Sequence, residues 1–276
     1  MIDSPDKQRM PVLFVGHGSP MNVIEDSAFR RGWQALGHRF GQTQGQWPRP
    51  ALILCISAHW RTRGGWMTGM AQPQTIHDFG GFPQALFAQQ YPAPGAPQWV
   101  AEWAARLRQP HSGEPVGIDL QEWGLDHGCW GVLKPMFPEA DIPVVQLSMD
   151  YQRPPEAHFA LGQQLKALRS QGVLILASGN TVHNLRALQR TASEGTAYPW
   201  ATRFDDWVAE CIVRRDLARL CAFRDLGEVA QMAHPTWDHY LPLLYAAGAV
   251  DADEPVAFFN EGHQLASIAM RSVVWG

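Results

Sequence analysis

Three apolar stretches of this chain each lead through small residues into a histidine. Residues 12–16 precede His17, residues 52–58 precede His59, and residues 173–182 precede His183. Short runs rich in Val, Ile and Leu are typical of strands in a sheet that is covered on both faces. Ligands of such sheets bind just beyond the carboxyl ends of the strands, so the pattern predicts three imidazoles at one sheet edge. Because imidazole binds Zn, Fe, Cu and Ni, the first hypothesis is a mononuclear metal site.

Strand-like and helix-like segments alternate along the chain, which favours an α/β fold with a mostly parallel sheet between helical layers. The predicted strands are residues 12–16, 51–57, 66–70, 142–147, 173–177, 255–260 and 267–274, and the last two are expected to pair antiparallel. The predicted helices are residues 27–38, 83–90, 97–108, 128–136, 155–170, 182–189, 200–221, 225–232 and 237–247. No convincing linker interrupts the chain. We therefore expect a single domain over residues 1–276, with residues 1–10 flexible.

Composition excludes several classes of protein. The net charge of −4 offers no attraction for nucleic acid or an anionic membrane. No window approaches the roughly 18 to 20 uncharged apolar residues that a membrane-spanning helix needs, and the polar start of the chain lacks the apolar core of a signal peptide. The four cysteines form no CxxC pair, which indicates neither a zinc ribbon nor a disulfide framework. We expect a cytoplasmic protein.

Two further histidines lie in segments that suit chemistry. His127 follows Asp126 in a loop framed by three glycines and two tryptophans, a setting that suits proton transfer. His239 follows Thr236, which is expected to cap a helix and to put His239 in its first turn. His183 is open to two interpretations, as a metal ligand or as an acid–base group, with Asn180 or Thr181 capping a helix around it.

The remaining histidines carry weaker signals. His77 lies in a loop of glycines and aromatic residues and could line a pocket. We expect surface or loop positions for four others, with His158 solvated: His38, His111, His158 and His263. The chain has no GxSxG nucleophile elbow, no GxxxxGK[ST] phosphate loop and no GxGxxG after a strand. Cys129 near His127 is only a low-grade signal for thiol catalysis.

A set of longer motifs carries a specific resemblance from about residue 10 to the end of the chain. The motifs are GHGSPM (16–21), SAHW (57–60), TIHDFGGFP (75–83), YPAPG (91–95), WGLDHGCWGVL (123–133), IPVVQLS (142–148), ASGNTVHNLR (177–186), YPWA (198–201) and HPTWDHYLPLLY (234–245). Their order and spacing resemble the class III extradiol ring-cleaving dioxygenases, in the DOPA 4,5-dioxygenase branch that bacteria share with plants.

This resemblance implies a three-layer αβα sandwich and one mononuclear divalent metal, Fe(II) for activity, with Zn(II) often found in bacterial members. It implies His17, His59 and His239 as metal ligands, with His183 next to or on the metal. It also implies that His127 and His183 act as acid–base groups. The wider superfamily uses two His and one Glu, so His239 makes this site all-imidazole and more compatible with zinc.

The substrate implied by the resemblance is a small catechol such as DOPA, cleaved with O2 to a muconic semialdehyde-type product. We expect five residues to contact it: Ser19, His77, Asp126, Asn184 and Tyr240. Arg186 and Arg271 are candidate partners for a substrate carboxylate. Two alternatives stay open at this point, a zinc-dependent hydrolase and a non-catalytic metal-binding scaffold of the same fold. The sequence leaves the oligomeric state open.

Overall fold

A six-stranded sheet forms the centre of the computed structural model, which describes residues 9–41, 45–193 and 195–276. Of the ten residues predicted to be flexible, 1–8 lie outside the described residues. Met10 is buried and its N–H donates to the Arg169 carbonyl. The strands are β1 (Val12–Gly16), β2 (Leu52–Ser57), β3 (Arg61–Thr62), β4 (Trp66–Thr68), β5 (Gly117–Asp119), β6 (Val144–Gln146), β7 (Met149–Asp150), β8 (Val173–Gly179), β9 (Val256–Phe259), β10 (His263–Gln264), β11 (Ile268–Ala269) and β12 (Ser272–Trp275).

The central sheet has the order β6-β2-β8-β1-β12-β9. Its first four strands are parallel, with Leu54 of β2 beside Ile175 of β8 and Phe14 of β1 beside Ala177 of β8. β12 runs antiparallel to both β1 and β9, which confirms the predicted antiparallel pairing near the end of the chain. The sheet is therefore mixed and mostly parallel, and its parallel strands share one carboxyl edge.

Helices cover both faces of this sheet. They are α1 (Ala28–Gly37), α2 (Gln84–Phe87), α3 (Pro97–Ala104), α4 (His127–Met136), α5 (Pro155–Leu165), α6 (Pro199–Arg214), α7 (Leu217–Cys221), α8 (Glu228–Ala233) and α9 (Leu241–Gly248). Short 3-10 turns occupy Pro20–Val23, Lys166–Gln171, Leu185–Ala187 and Phe223–Leu226. The expected αβα sandwich is confirmed.

Two apolar cores explain why the strand sequences are unbroken apolar runs. Side chains alternate across a strand, so Leu54 of β2 packs in a core with residues of α5 and α9, whereas Ile53 packs in a core with residues of α1 and α4. Leu54 and Ile53 are both fully buried. Because each face of the strand meets a helical layer, neither face needs polar side chains.

Several predicted elements are wrong in extent. The helix over 200–221 is interrupted at Arg215, which adopts a left-handed conformation (φ 58°), and α7 restarts with Asp216 as its cap. The strand over 267–274 is two short strands, β11 and β12. The helix over 237–247 begins only at Leu241, because residues 238–240 form a turn.

The predicted helix over 182–189 is absent from the structure. The His183 N–H donates to the Ala233 carbonyl and the Asn184 N–H donates to the Ser267 carbonyl. These bonds to remote segments replace the helical ones, and only one 3-10 turn follows, at Leu185–Ala187. Neither Asn180 nor Thr181 therefore caps a helix. Among the residues described, no helix is both long and apolar enough to cross a membrane.

Candidate metal centre

The carboxyl ends of the neighbouring strands β1, β8 and β2 bring together the first two candidate ligands. His17 comes directly after β1 and its N–H donates to the Gly179 carbonyl at the end of β8, 3.1 Å away. His59 comes two residues after β2. The Nε2 atoms of His17 and His59 lie 3.2 Å apart. Parallel strand ends therefore meet as the apolar pattern indicated.

His239 reaches the same place from a different part of the fold. It lies in the turn before α9 rather than in a first helical turn, so the prediction that Thr236 caps this helix is wrong; Tyr240 occupies the cap. The His239 carbonyl accepts a hydrogen bond from the Asn180 N–H at 2.9 Å. This bond fixes the turn against the end of β8 and carries the imidazole into the strand-end cluster.

The three imidazoles form a nearly equilateral triangle. The ring centroids of His17, His59 and His239 are separated by 5.1, 5.2 and 5.1 Å. One nitrogen from each ring belongs to a set whose members all lie within 4.8 Å of one another. Three imidazole nitrogens at this spacing could hold one divalent metal and leave further coordination positions open.

An oxygen atom orients each ring at Nδ1. The Nδ1 of His17 lies 3.0 Å from Ser178 Oγ, that of His59 lies 3.1 Å from an Asp78 carboxylate oxygen, and that of His239 lies 2.7 Å from an Asp238 carboxylate oxygen. The Ser178 hydroxyl donates to the Gly128 carbonyl and is thus an acceptor for His17. Because each Nδ1 donates, Nε2 is the nitrogen that remains to bind a metal.

The surroundings of the three rings shift their pKa values in different directions. Burial, followed by repulsion from His59, lowers the pKa of His17 well below its usual range. Burial, followed by repulsion from His183, also lowers the pKa of His239 well below its usual range. Burial lowers the pKa of His59 as well, but its hydrogen bond to Asp78 and the nearby carboxylates outweigh burial and raise the pKa. Three imidazoles beside the carboxylates of Asp78 and Asp238 form a donor set that fits one divalent ion.

His183 lies beside this triangle. Its ring stacks on His239 with centroids 3.4 Å apart and an interplanar angle of 6°. Among the described residues, it is not part of the set of close ligand atoms. Burial, followed by repulsion from His234, lowers the pKa of His183 to about 3. His183 is thus a neutral imidazole next to the candidate ligands.

His127, the first residue of α4, lies beside the other two rings of the triangle. Its ring centroid is 4.0 Å from that of His59 and 5.6 Å from that of His17. Its Nδ1 donates to Asp78 Oδ1 at 2.9 Å. Burial, followed by repulsion from His59, lowers the pKa of His127, although Asp78 opposes this shift. His127 and His183 thus flank the candidate ligands.

Asp126, which precedes His127 along the chain, does not pair with it. Asp126 caps α4 by accepting from the Cys129 N–H, and its carboxylate also accepts from Ser57, Trp123 and Gln146 side chains. It is fully buried, and its contact with substrate stays a prediction. The acid that pairs with His127 is Asp78.

Asp78 and Asp238 are functional candidates that sequence reasoning missed. Each directly follows or precedes a histidine that was considered, His77 and His239 respectively. An acid next to a histidine in a loop was the one available signal. That signal cannot identify the histidine that the acid contacts, because Asp78 serves two rings that lie 19 and 49 positions away along the chain.

Two more residues predicted to contact substrate use their side chains for hydrogen bonds within the protein. Tyr240 is fully buried and its hydroxyl donates to the Leu220 carbonyl at 2.9 Å. Asn184 caps the short turn after His183, and its amide donates to the Met232 carbonyl at 2.6 Å. Both side chains tie neighbouring segments together, and their contacts with substrate stay predictions.

The last two predicted contacts lie closer to the triangle. Ser19 lines a small cavity together with His17 and His127. His77 donates to the Gln89 carbonyl at 2.8 Å and packs edge-on against Phe79, whose ring in turn packs edge-on against His127. Ser19 can thus reach the site, whereas His77 stands behind Phe79.

Other predicted surface residues are buried. His158 is 2% exposed and its ring bonds to the Tyr245 hydroxyl, so the expectation that it is solvated is wrong. His263 is also buried, in β10.

The Arg271 guanidinium is bound by Asp205, Asp206 and Glu261, which leaves it unsuited to a substrate carboxylate. Arg186 and His111 are exposed, as is His38 after α1.

Comparison with known proteins gives one consistent result. The profile of a family described as the catalytic LigB subunit of aromatic ring-opening dioxygenase matches residues 11–274. A 4,5-DOPA dioxygenase extradiol of Escherichia coli K12 is 47% identical over 271 residues, which cover 97% of this chain and 95% of that protein. Its counterpart in Beta vulgaris is 36% identical over 244 residues, which cover 86% of this chain and 85% of that protein. The crystal structure of an uncharacterised Escherichia coli K12 protein matches with a TM-score of 0.79 and 41% identity, over 97% of this chain and 100% of that chain.

Proposed function

The chain belongs to this family of aromatic ring-opening dioxygenases, and we propose that it cleaves the ring of a catechol such as DOPA beside the diol, incorporating both atoms of O2. The product would be a muconic semialdehyde-type compound. The observation that carries this proposal is the triangle of His17, His59 and His239, flanked by one further imidazole on each of two sides.

The residues that would hold the metal are His17, His59 and His239, each through Nε2. We assign Fe(II) to the active enzyme and expect Zn(II) in protein as isolated, because an all-imidazole set suits both ions. When bound, Fe(II) supplies a Lewis acid for the two catechol oxygens and a redox centre for O2. Zn(II) has no redox chemistry, so the zinc form should bind catechol without oxidising it.

Two histidines would move protons around the substrate. His127 donates its Nδ1 proton to Asp78, so Nε2 carries a lone pair that can accept a proton from a catechol hydroxyl. His183 remains neutral at pH 7 since its pKa is lowered to about 3, first by burial and then by His234. His127 can therefore accept a proton before ring opening. The same proton can return to the leaving oxygen from His127 or by way of His183, because a neutral imidazole has one nitrogen that accepts and one that donates.

The substrate assignment follows the relatives. Two proteins that resemble this chain over most of their length are named 4,5-DOPA dioxygenase extradiol, which supports an aromatic catechol with an amino-acid side chain. Ser19 lines the same small cavity as His17 and His127, and we keep it as a proposed substrate contact. We assign the activity to the cytoplasm, because Cys55, Cys129, Cys211 and Cys221 are free thiols.

Metal reconstitution tests this proposal. The protein is stripped with a chelator, reloaded anaerobically with Fe(II) or Zn(II), and mixed with DOPA, caffeate and protocatechuate in air. We expect oxygen uptake and a yellow product with Fe(II) alone, from at least one catechol. His239→Ala should lose this activity because it removes a ligand, whereas His111→Ala, which changes an exposed histidine, should retain it.

The same assay decides between the proposal and its alternatives. Hydrolysis of an ester substrate with Zn(II) and without O2 would favour a zinc hydrolase, in which the three imidazoles would hold Zn(II) and the ion would activate water. Absence of turnover with every catechol and either metal would favour a metal-binding scaffold. The presence of both His127 and His183 beside the triangle supports an enzyme, since a scaffold needs neither.

A further inference from the structure

We propose that Asp78 is a positioning residue that holds one metal ligand, His59, and one acid–base group, His127, each in the tautomer that the reaction requires. The effect of Asp78 on His127 rests on the proposed function. The effect of Asp78 on His59 concerns metal affinity and applies whatever the substrate is.

A single carboxylate contacts both rings. Asp78 Oδ2 lies 3.1 Å from His59 Nδ1, and Asp78 Oδ1 lies 2.9 Å from His127 Nδ1. Asp78 Oδ1 also accepts from the backbone N–H of His127 at 2.9 Å. The two ring centroids are only 4.0 Å apart, so the carboxylate sets their positions relative to each other.

The chemistry of a carboxylate fixes both tautomers. An ionised carboxylate accepts hydrogen bonds and donates none, so His59 and His127 must both carry their proton on Nδ1. Nε2 of His59 is then free for the metal, 3.2 Å from the Nε2 of His17. Nε2 of His127 is free to accept a proton. One side chain thus prepares a ligand and a base together.

Three hydrogen-bond donors face the Asp78 carboxylate: Nδ1 of His59, Nδ1 of His127 and the backbone N–H of His127. The carboxylate also lies at the N-terminus of α4, where the helix dipole favours negative charge. Its side chain is only 16% exposed, which limits competition from water for these hydrogen bonds.

The loop that carries Asp78 is anchored on both sides. Before it, the Ile76 N–H donates to the Leu125 carbonyl at 2.7 Å, and the Trp130 ring N–H donates to the Ile76 carbonyl at 2.8 Å. After it, Phe79 packs edge-on against His127 with centroids 5.5 Å apart. The loop therefore delivers the carboxylate to a defined position.

An asparagine at this position could accept a hydrogen bond from Nδ1 of only one of the two rings. Its amide offers an oxygen that accepts and a nitrogen that donates. Whichever ring faces the nitrogen must move its proton to Nε2. If that ring is His59, it loses its metal-binding lone pair; if it is His127, it loses its proton-accepting lone pair. Asp78→Asn thus keeps the shape of the side chain and disturbs one tautomer.

The first test measures metal affinity and tautomers without any substrate. We expect Asp78→Ala to weaken Zn(II) binding by about 10- to 100-fold in chelator competition. Nitrogen-15 NMR of the zinc protein should show Nδ1-protonated His127 in the unaltered chain and a loss of that signal in Asp78→Ala. Asp78→Glu keeps the carboxylate and should bind Zn(II) more tightly than Asp78→Ala. Asp141→Asn, at an exposed carboxylate paired with Arg49, should match the unaltered protein in both measurements.

The second test measures kcat of the Fe(II) enzyme at full metal occupancy. Asp78→Asn should lower kcat in the unaltered chain by about 10- to 100-fold and have little further effect when His127 is already alanine, because Asp78 acts through His127.

An equal loss in both backgrounds would overturn the proposal, as would unchanged zinc affinity in Asp78→Ala or equal affinities in Asp78→Glu and Asp78→Ala. If the unaltered enzyme turns over no catechol, the proposed function fails, while the zinc and NMR results still decide the role of Asp78.

Discussion

The carbonyl oxygen of His239 lies 2.2 Å from the point that a Cβ atom on Gly179 would occupy. The backbone of a distant turn therefore packs directly on the last residue of β8, at a distance that only glycine permits. The next residue, Asn180, donates its N–H to the same carbonyl. This close approach brings the third candidate ligand to a sheet edge where the strand pattern alone supplies two.

Gly179→Ala should therefore weaken metal binding. The added methyl group must displace the His239 carbonyl, and a ligand nitrogen would move with it. We expect at least a 10-fold loss of Zn(II) affinity in chelator competition, the size typical of a disturbed ligand orientation. Gly65→Ala is the matched control, because a Cβ on that buried glycine would lie 3.7 Å from the nearest Val116 carbons and should leave zinc affinity unchanged. Equal affinities in the two variants would contradict the packing described.

Alanine variants of the flanking histidines should separate metal binding from turnover. His127→Ala and His183→Ala should retain zinc, since neither ring belongs to the triangle. Each should lower kcat of the Fe(II) enzyme by about 10²- to 10⁴-fold, because a proton acceptor or donor is lost. Elemental analysis of the metal content checks that zinc is retained, and oxygen uptake measures the loss of kcat. Loss of zinc from His183→Ala would instead make His183 a ligand.

The strand-end part of the site could be predicted from the sequence for a physical reason. His17 and His59 follow apolar runs whose burial on both faces identifies parallel strands, and parallel strands deliver their carboxyl ends to one edge. His239 has no such signal, because it lies in a turn between helices. Only the resemblance of residues 234–245 to a known family pointed to it.

The partners of these histidines could not be predicted, because they depend on contacts between remote segments. Asp126 precedes His127 along the chain, yet it faces Ser57 and Gln146, while Asp78 reaches His127 from another loop. The helix predicted around His183 failed for the same reason, since that backbone bonds to the Ala233 carbonyl. Local patterns contain no information about such bonds.

Tyr240→Phe should affect stability and leave substrate affinity unchanged. The hydroxyl is fully buried and donates to the Leu220 carbonyl, so its removal leaves a buried acceptor without its partner. We expect a loss of about 1–3 kcal/mol in the free energy of unfolding, measured by urea denaturation, with KM for DOPA unchanged. A raised KM with unchanged stability would instead place Tyr240 in the substrate site.

His158 should contribute to acid sensitivity. Burial lowers its pKa to about 4, whereas the unfolded chain binds this proton near pH 6.5. Its contribution to stability is thus complete above pH 6.5 and is lost as the pH falls toward 4, by on the order of 3 kcal/mol. In His158→Gln, the free energy of unfolding should fall less steeply over this range than in the unaltered protein. His111→Gln, at an exposed position, should leave the slope unchanged; parallel curves for His158→Gln would contradict the burial effect.

The most direct test is the position of the metal itself. Crystals of the zinc- and Fe(II)-loaded protein, measured at the absorption edge of each metal, reveal every bound ion by anomalous scattering. We expect one ion at about 2.0–2.1 Å from Nε2 of His17, His59 and His239, with His127 and His183 outside bonding distance. An ion bound instead between Asp78 and His127, or two separate ions, would contradict this account.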